Sequence, residues 1–210
     1  MLHWKKISSQ TKFQNDHWSY CIDEFQGLNG EFGVYHYVHT AGSSMVIPVT
    51  VNKNILMVKQ YRYLNDRESI EFPCGGMEEG ISYPENALKE LREETGFSAK
   101  SLLQIGEFAP YTGAADEISK VFLAKDLFHA PLPKDTTEEF EMLEKTPKEI
   151  EEMINKNIIW DGLTLAAWSL ARRYLQNDLY IYARHTFFSS INIWSDRQKQ
   201  CCYRCGSPSF

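Results

Sequence analysis

Three glutamates, Glu90, Glu93 and Glu94, are spaced so that their carboxylates can act on one cation. In an α-helix, positions i, i+3 and i+4 share a face, so these side chains fall within an arc of roughly 100°. Hard divalent cations such as Mg²⁺ take oxygen ligands, often a few carboxylates together with substrate phosphates. The spacing therefore predicts a magnesium site. The alternative is a solvated acidic face that pairs with Lys89 and Arg92.

The flanking residues predict the helix that would carry these glutamates. Ser82 is a suitable N-cap, Pro84 suits the first turn and Glu85 completes a capping box, so a helix should begin there. Gly96 is expected to end it. One side of this helix is apolar enough to pack against a sheet, and it consists of Ala87, Leu88, Leu91 and Thr95. The acidic face would then lie beside the preceding glycine loop.

Residues 75–97 resemble the Nudix box, whose pattern is G-x5-E-x7-R-E-U-x-E-E-x-G-U, with U an apolar residue. When the pattern is registered on Gly75, the residues on family positions are Glu90, Leu91, Glu93, Glu94, Gly96 and Phe97. Two positions depart from it: Ile81 stands where the family has its first Glu, and Lys89 stands where it has Arg. On these residues the chain is identified as a member of the Nudix hydrolase superfamily.

Short runs of β-branched, aromatic and apolar residues predict strands around this helix. They are residues 33–39, 44–51, 55–63, 69–72, 102–106 and 119–124, with a hairpin turn at 52–54. Two helices are expected to close the domain, one capped by Thr146 and one capped by Asp161 or Thr164. This order predicts an α/β fold with a mixed sheet between helices. The resemblance implies the same architecture, the Nudix α/β/α sandwich.

The chain is expected to have three parts: an N-terminal strand region at 1–43, the Nudix domain at 44–183 and an atypical C-terminal tail at 184–210. In the branch of the superfamily that the flanking segments of this chain resemble, proteins are commonly dimers that exchange N-terminal strands, so the resemblance implies a homodimer in which aromatic residues from the partner cover the nucleobase. The candidates for this stacking are Trp18, Tyr20, Tyr35 and Tyr37. Packing within a strand is the commoner use of such aromatics.

Further segments resemble the ADP-ribose and nucleotide-sugar pyrophosphatase branch of the superfamily. They are Gln60-Tyr61-Arg62, Glu71-Phe72-Pro73-Cys74-Gly75-Gly76, Asp116-Glu117 and Trp160-Asp161-Gly162-Leu163-Thr164. This resemblance implies hydrolysis of the pyrophosphate bond of ADP-ribose or a nucleoside diphosphate sugar. The products would be a nucleoside monophosphate and a sugar phosphate. Thr112 stands where ADP-ribose enzymes typically carry a proline, so the choice between the two substrates stays open.

The resemblance also implies a metal shell. Glu90 and Glu94 are expected to ligate Mg²⁺, with Mn²⁺ as an alternative ion, and the backbone carbonyl of Cys74 is expected to complete the shell. Glu93 lies alongside them and is expected to act both as a ligand and in catalysis. The Cys74 thiol has no required role and is expected to fill apolar space.

The resemblance also implies which residues bind the substrate and which residue acts as general base. Arg62 is expected to neutralise a phosphate or hold the terminal sugar, and Tyr37 and Glu117 are expected to contact the substrate. The general base is expected in an acidic loop before the penultimate strand. Alignment with the family leaves Thr137 or Glu138 on the base position and Glu139 on an accessory metal position, and Glu138 or Glu139 is favoured for this role. For Arg62 the alternative is an exposed strand residue, and for the acidic loop it is a merely solvated one.

Composition narrows the class of ligand. The 210 residues are 43% hydrophobic, which suits one domain with a sizeable core. A net charge of -6 argues against a nucleic-acid surface and favours a free nucleotide.

No run of about 18 apolar residues suggests a membrane span and no signal peptide is evident, so a cytoplasmic location is expected. Three of the five cysteines crowd the tail, at Cys201, Cys202 and Cys205, where a reduced tail is favoured over a zinc site.

Two other functions remain in view. The departures at Ile81 and Lys89 are compatible with a non-catalytic nucleotide-sugar sensor, although three clustered carboxylates argue against it. The same box also occurs in dinucleoside polyphosphate and nucleoside triphosphate hydrolases, which the flanking segments disfavour.

Overall fold

The computed structural model describes residues 3–133 and 139–175. The chain divides into two units, residues 1–171 and 172–210. Of the second unit the structure describes residues 172–175, which are helical. The tail predicted at 184–210, with its three cysteines, lies outside the described residues. The boundaries predicted at 43 and 183 stay predictions.

The described residues of the first unit form ten strands, three α-helices and one short 3-10 helix, Tyr63–Asn65. The strands are β1 Lys5–Gln14, β2 Ser19–Gln26, β3 Phe32–His39, β4 Ser43–Pro48, β5 Ile55–Arg62, β6 Arg67–Glu71, β7 Cys74–Gly76, β8 Phe97–Phe108, β9 Ser119–His129 and β10 Glu141–Lys145. The helices are α1 Tyr83–Thr95, α2 Pro147–Asn155 and α3, residues 162–171. Every predicted strand segment overlaps one of these strands. None of the described helices is long and apolar enough to cross a membrane.

The strands pair into three sheets. The central sheet has the order β7-β4-β9-β8, in which β4 and β9 are parallel and the other pairs are antiparallel. Two antiparallel sheets, β10-β5-β6 and β1-β2-β3, complete the set. The predicted mixed sheet is therefore present, although the hydrogen-bonded ladders are split. The predicted turn at 52–54 joins β4 and β5 across two different sheets, linked by the bridge between Val49 and Ile55.

Helix α1 begins and ends where its capping residues predict. The backbone N–H and the hydroxyl of Ser82 both donate to the carboxylate of Glu85, across 2.8 and 2.6 Å. Gly96 ends the helix in the left-handed region, with φ 77°, a conformation that glycine adopts without strain. The predicted apolar side packs on the central sheet, where Ala87 and Leu91 lie in one cluster with Val46, Phe122 and Ala124.

Successive side chains along a strand point to opposite faces of the sheet, and the residues on the other face of the central sheet are buried as well. This face carries Met45, Ile47, Val121 and Leu123. Helix α3 packs closely on β8 at Gly106, where the Leu170 side chain occupies the space that a Cβ atom would need. Asp161 is the N-cap of α3, since its Oδ2 accepts a hydrogen bond from Thr164 N across 2.7 Å.

Thr164, the other predicted cap of α3, has a different role. Its hydroxyl accepts a hydrogen bond from the backbone N–H of Phe72, across 3.4 Å. The Phe72 ring in turn stacks with Trp168, with ring centroids 6.2 Å apart. The first turns of α3 therefore hold the segment that leads into the glycine loop.

Candidate active site

Glu90 lies directly against the glycine loop. A Cβ atom at Gly75 would collide with the carboxyl group of Glu90, so this close approach requires glycine. Asn86, one turn earlier on α1, donates from Nδ2 to the carbonyl oxygen of Gly75 across 3.3 Å. Around Gly76, by contrast, no atom lies within 4 Å of an added Cβ. Helix α1 and strand β7 thus hold one carboxylate against one backbone position.

Glu94 is buried at the same loop, with 5% of its surface exposed. Its Oε1 accepts a hydrogen bond from the backbone N–H of Cys74 across 3.4 Å. Burial raises the pKa of the Cys74 thiol well above its ordinary value, and the nearby charges of Glu94, Glu90 and Glu71 raise it further. The negative charges of carboxylates on α1 and β6 therefore favour the protonated thiol.

Glu93 is held by Lys89, one turn earlier on the same helix. The Lys89 ammonium lies 2.7 Å from Glu93 Oε2, 3.0 Å from Glu78 Oε1 and 3.8 Å from Glu90 Oε1. Partial burial lowers the pKa of Lys89, but the hydrogen bonds to Glu93 and Glu78 outweigh it, so the net shift is upward. Arg92 does not join this face, because its Nε donates to the carbonyl of Ala130 across 2.8 Å.

The donor set fits a hard divalent cation that is bound together with its substrate. Within the described residues, no three His, Cys, Asp or Glu side chains converge closely enough to hold a metal ion by themselves. Mg²⁺ usually keeps several waters and is bound by one or two carboxylates plus substrate phosphates. Glu90 and Glu94, held at the backbone of Cys74 and Gly75, offer such an open arrangement.

Arg62 forms a two-point ion pair with Glu71, a residue to which the sequence assigned no role. Arg62 Nε donates to Glu71 Oε1 across 2.8 Å, and a terminal nitrogen donates to Oε2. Gln60 donates to the same Oε2 across 3.3 Å. Glu71 is 2% exposed, so it serves as a buried anchor for the guanidinium. The signal in the sequence was the place of Glu71 at the head of the E-F-P-C-G-G segment.

Asp161 is the second residue whose electrostatic role the sequence did not indicate. Besides capping α3, its charge raises the pKa of Arg62, behind the larger effect of Glu71, and that of Cys74. The carboxylate that caps α3 therefore adds to the negative electrostatic potential at both the guanidinium and the glycine loop. The W-D-G-L-T segment was its only signal in the sequence.

The predicted base residues fall at the edge of what the structure describes. Glu138 lies outside the described residues. Glu139 is exposed and lines a cavity of about 530 Å³ together with Gln60, Arg62 and Leu64. The structure thus brings one of the two predicted base residues to the same cavity as the predicted phosphate-binding arginine.

The other two predicted substrate-binding residues, Tyr37 and Glu117, do not line this cavity. Tyr37 and Tyr35 are on one face of the N-terminal sheet and line a cavity of about 390 Å³ with Lys6, Asp23 and Asp116. The Tyr37 hydroxyl donates to Asp23 across 3.4 Å. Glu117 instead accepts a hydrogen bond from the Ser43 hydroxyl across 2.7 Å, where β4 and β9 begin.

Comparison with known proteins places these features in a family. The NUDIX domain model matches residues 40–161. An ADP-ribose pyrophosphatase of Bacillus subtilis (strain 168) is 32% identical over 174 residues, which are 82% of this chain and 92% of that protein. This chain belongs to the Nudix family. The predicted family membership is confirmed.

Two further proteins resemble this Nudix chain over most of its length. A methanol dehydrogenase activator of Bacillus methanolicus is 33% identical over 159 residues, 74% of this chain and 83% of that protein. A solved structure described as an ADP compounds hydrolase superposes with a TM-score of 0.75 at 19% identity, covering 85% of this chain and 97% of that one. This structural likeness confirms the predicted Nudix fold.

Proposed function

We propose that this Nudix protein hydrolyses the pyrophosphate bond of ADP-ribose, or of a related nucleoside diphosphate sugar, to a nucleoside monophosphate and a sugar phosphate. The observation that carries this is the placement of Glu90 and Glu94 against the glycine loop, with Arg62 fixed beside it. Such a site offers oxygen ligands for a cation and positive charge for phosphates. The naming of the B. subtilis relative as an ADP-ribose pyrophosphatase supports the choice of substrate.

In the reaction, water adds to one phosphorus and the bridging P–O bond breaks. A divalent ion, Mg²⁺ or Mn²⁺, would supply charge neutralisation and an activated water. Glu90, Glu94 and the carbonyl of Cys74 would hold it, with Glu93 alongside. Glu138 or Glu139 takes the proton of the attacking water.

Arg62 can contact a phosphate without leaving Glu71. A guanidinium has five N–H donors in a fixed fork. Two of them are directed at the Glu71 carboxylate, which leaves three for substrate oxygens. The buried Glu71 therefore orients the guanidinium and leaves three of its N–H donors for the substrate.

The nucleoside end is assigned to the N-terminal sheet. Tyr37, with Tyr35, offers rings for stacking beside the Lys6–Asp23 ion pair. Glu117, in the segment just before β9, is proposed as a further contact to the substrate. The same sheet exposes Phe13 and Phe32 to solvent, which supports a homodimer formed through this region. The free thiols Cys21 and Cys74 suit the reducing cytoplasm.

A hydrolysis screen tests this function. Purified protein is incubated with Mg²⁺ or Mn²⁺ and ADP-ribose, ADP-, GDP- and UDP-sugars, nucleoside triphosphates or dinucleoside polyphosphates, and products are separated by ion-exchange chromatography. We expect AMP and ribose 5-phosphate from ADP-ribose, and no products after EDTA treatment.

Two other outcomes separate the rival functions. Tight binding of ADP-ribose without turnover at any metal concentration would identify a sensor. Preferential release of pyrophosphate or phosphate from nucleoside triphosphates would identify a different Nudix activity.

A further inference from the structure

Lys89 connects two separate parts of the candidate site. Its ammonium lies within ion-pair distance of Glu90 and Glu93 on α1, and within 3.0 Å of Glu78 in the loop between β7 and α1. Glu78 is thereby the carboxylate that ties the loop to the acidic face of the helix. It stands three residues before Ile81, the position at which the Nudix box carries a Glu.

We infer that Glu78 is a positioning residue, which holds the Lys89 ammonium at the loop edge of the acidic face and so keeps Glu90 available for a divalent cation. This rests on the proposed metal-dependent hydrolysis. The chemistry of lysine makes the arrangement work, because an ammonium is a compact charge with three donors and can be shared among three carboxylates.

Removing the Glu78 charge redistributes this ammonium. Without Glu78, nothing draws the ammonium toward the loop. It can then keep its 2.7 Å contact with Glu93 and move closer to Glu90, from which it is 3.8 Å away in the wild type. A shift of the ammonium toward Glu90 places a positive charge where the metal ion must bind. The expected consequence is weaker metal binding with little change in the chemical step at saturating metal.

Glu79 provides a matched control. It is the next residue of the same loop, it is exposed, and no ion pair joins it to another described residue. Glu78→Gln and Glu79→Gln therefore remove the same charge from neighbouring positions. Any general effect of net charge on cation binding appears in both variants, and only an effect through Lys89 is specific to Glu78→Gln.

The measurement is the affinity for Mn²⁺ by isothermal titration calorimetry, both without ligand and with a saturating non-hydrolysable ADP-ribose analogue that supplies the phosphate oxygens, together with the Mg²⁺ dependence of kcat. Partly exposed ion pairs are worth up to about 1 kcal/mol, which corresponds to about a fivefold change in a binding constant. We expect Glu78→Gln to raise the Mn²⁺ dissociation constant about threefold to fivefold and Glu79→Gln to change it less than twofold. The kcat at saturating Mg²⁺ should stay within about threefold in both, and melting temperatures report folding.

A double-mutant cycle isolates the coupling. In the Lys89→Met background, Glu78→Gln should have no further effect on Mn²⁺ affinity, whereas in the Lys89→Arg background, which keeps a cation, the effect should persist. Equal effects of the Glu78 and Glu79 variants, an undiminished effect in Lys89→Met, or no Mn²⁺ binding by the wild type would overturn the inference. If Mn²⁺ affinities follow the prediction but no substrate is cleaved, the inference stands and the proposed function fails.

Discussion

The contact between Gly75 and Glu90 allows the candidate site to be disturbed by a single methyl group. In Gly75→Ala the new Cβ would occupy the space of the Glu90 carboxyl, which must then retreat. The backbone itself can accept alanine, because Gly75 is not among the residues with positive φ. The obstacle is the end of a flexible side chain, so the free energy of unfolding should change by less than about 1 kcal/mol.

The expected loss of activity is much larger than the loss of stability. A displacement on the order of 1 Å of a group that positions the reaction can reduce the rate about 10²-fold. That corresponds to about 2.7 kcal/mol of transition-state stabilisation. We therefore expect kcat/KM for ADP-ribose to fall about 10²-fold in Gly75→Ala. Gly76→Ala is the control, because its added Cβ meets no atom within 4 Å, and it should stay within about threefold of wild type.

The assay is steady-state hydrolysis at saturating Mg²⁺, paired with urea denaturation of each variant. A third variant, Glu90→Gln, tests the route of the effect. If Gly75→Ala acts by moving Glu90, the two substitutions combined should lose little more than either alone. Activity of Gly75→Ala within threefold of wild type, equal losses at Gly75 and Gly76, or fully additive losses with Glu90→Gln would refute the reasoning.

Three further outcomes can be measured with the same assays. Glu93→Gln and Glu94→Gln should each lower kcat by on the order of 10²-fold without unfolding the protein, and activity within threefold of wild type in both would remove them from the metal shell. Glu71→Gln should lower the free energy of unfolding by about 2 kcal/mol and raise KM, because a buried carboxylate loses its charge-assisted bonds to the guanidinium; a change below about 0.5 kcal/mol would contradict this. Replacing Glu138 and Glu139 together by Gln should lower kcat at least tenfold with KM nearly unchanged, and full activity would assign the base elsewhere.

Local sequence was sufficient to predict the elements that carry the carboxylates. The capping box at Ser82 and the glycine at position 96 act within one helical turn, so their effects can be inferred from neighbouring residues alone. The placement of Glu90 and Glu94 beside the glycine loop followed from helical spacing. The strands β8 and β9 extend well beyond their predicted segments, because their pairing with each other continues through residues that are not strongly apolar.

The interactions that depend on side chains from separate elements could not be predicted in this way. The pairing of Arg62 with Glu71 depends on the register of β5 against β6, which is set by the hairpin between them. The ion pair that Lys89 forms with Glu78 depends on the path of an irregular loop. The role of Glu139 depends on a loop of which the structure describes only the end. In each case local propensity carries no information about which distant partner a side chain meets.

The parallel pairing of β4 with β9 has a consequence for the order in which the protein folds. Ser43 and Ser119 meet across 76 positions of chain, whereas the edge pairing of Met45 with Cys74 closes a much shorter loop. The entropy lost on closing a loop grows with its length, so the shorter contact is expected to form first. The glycine loop is therefore expected to pair with β4 early in folding. The core cluster beneath α1 is completed later, when β9 pairs with β4 and brings in Phe122 and Ala124. Recovery of hydrolysis during refolding should follow this late, long-range step and should lag behind the first burial of β4.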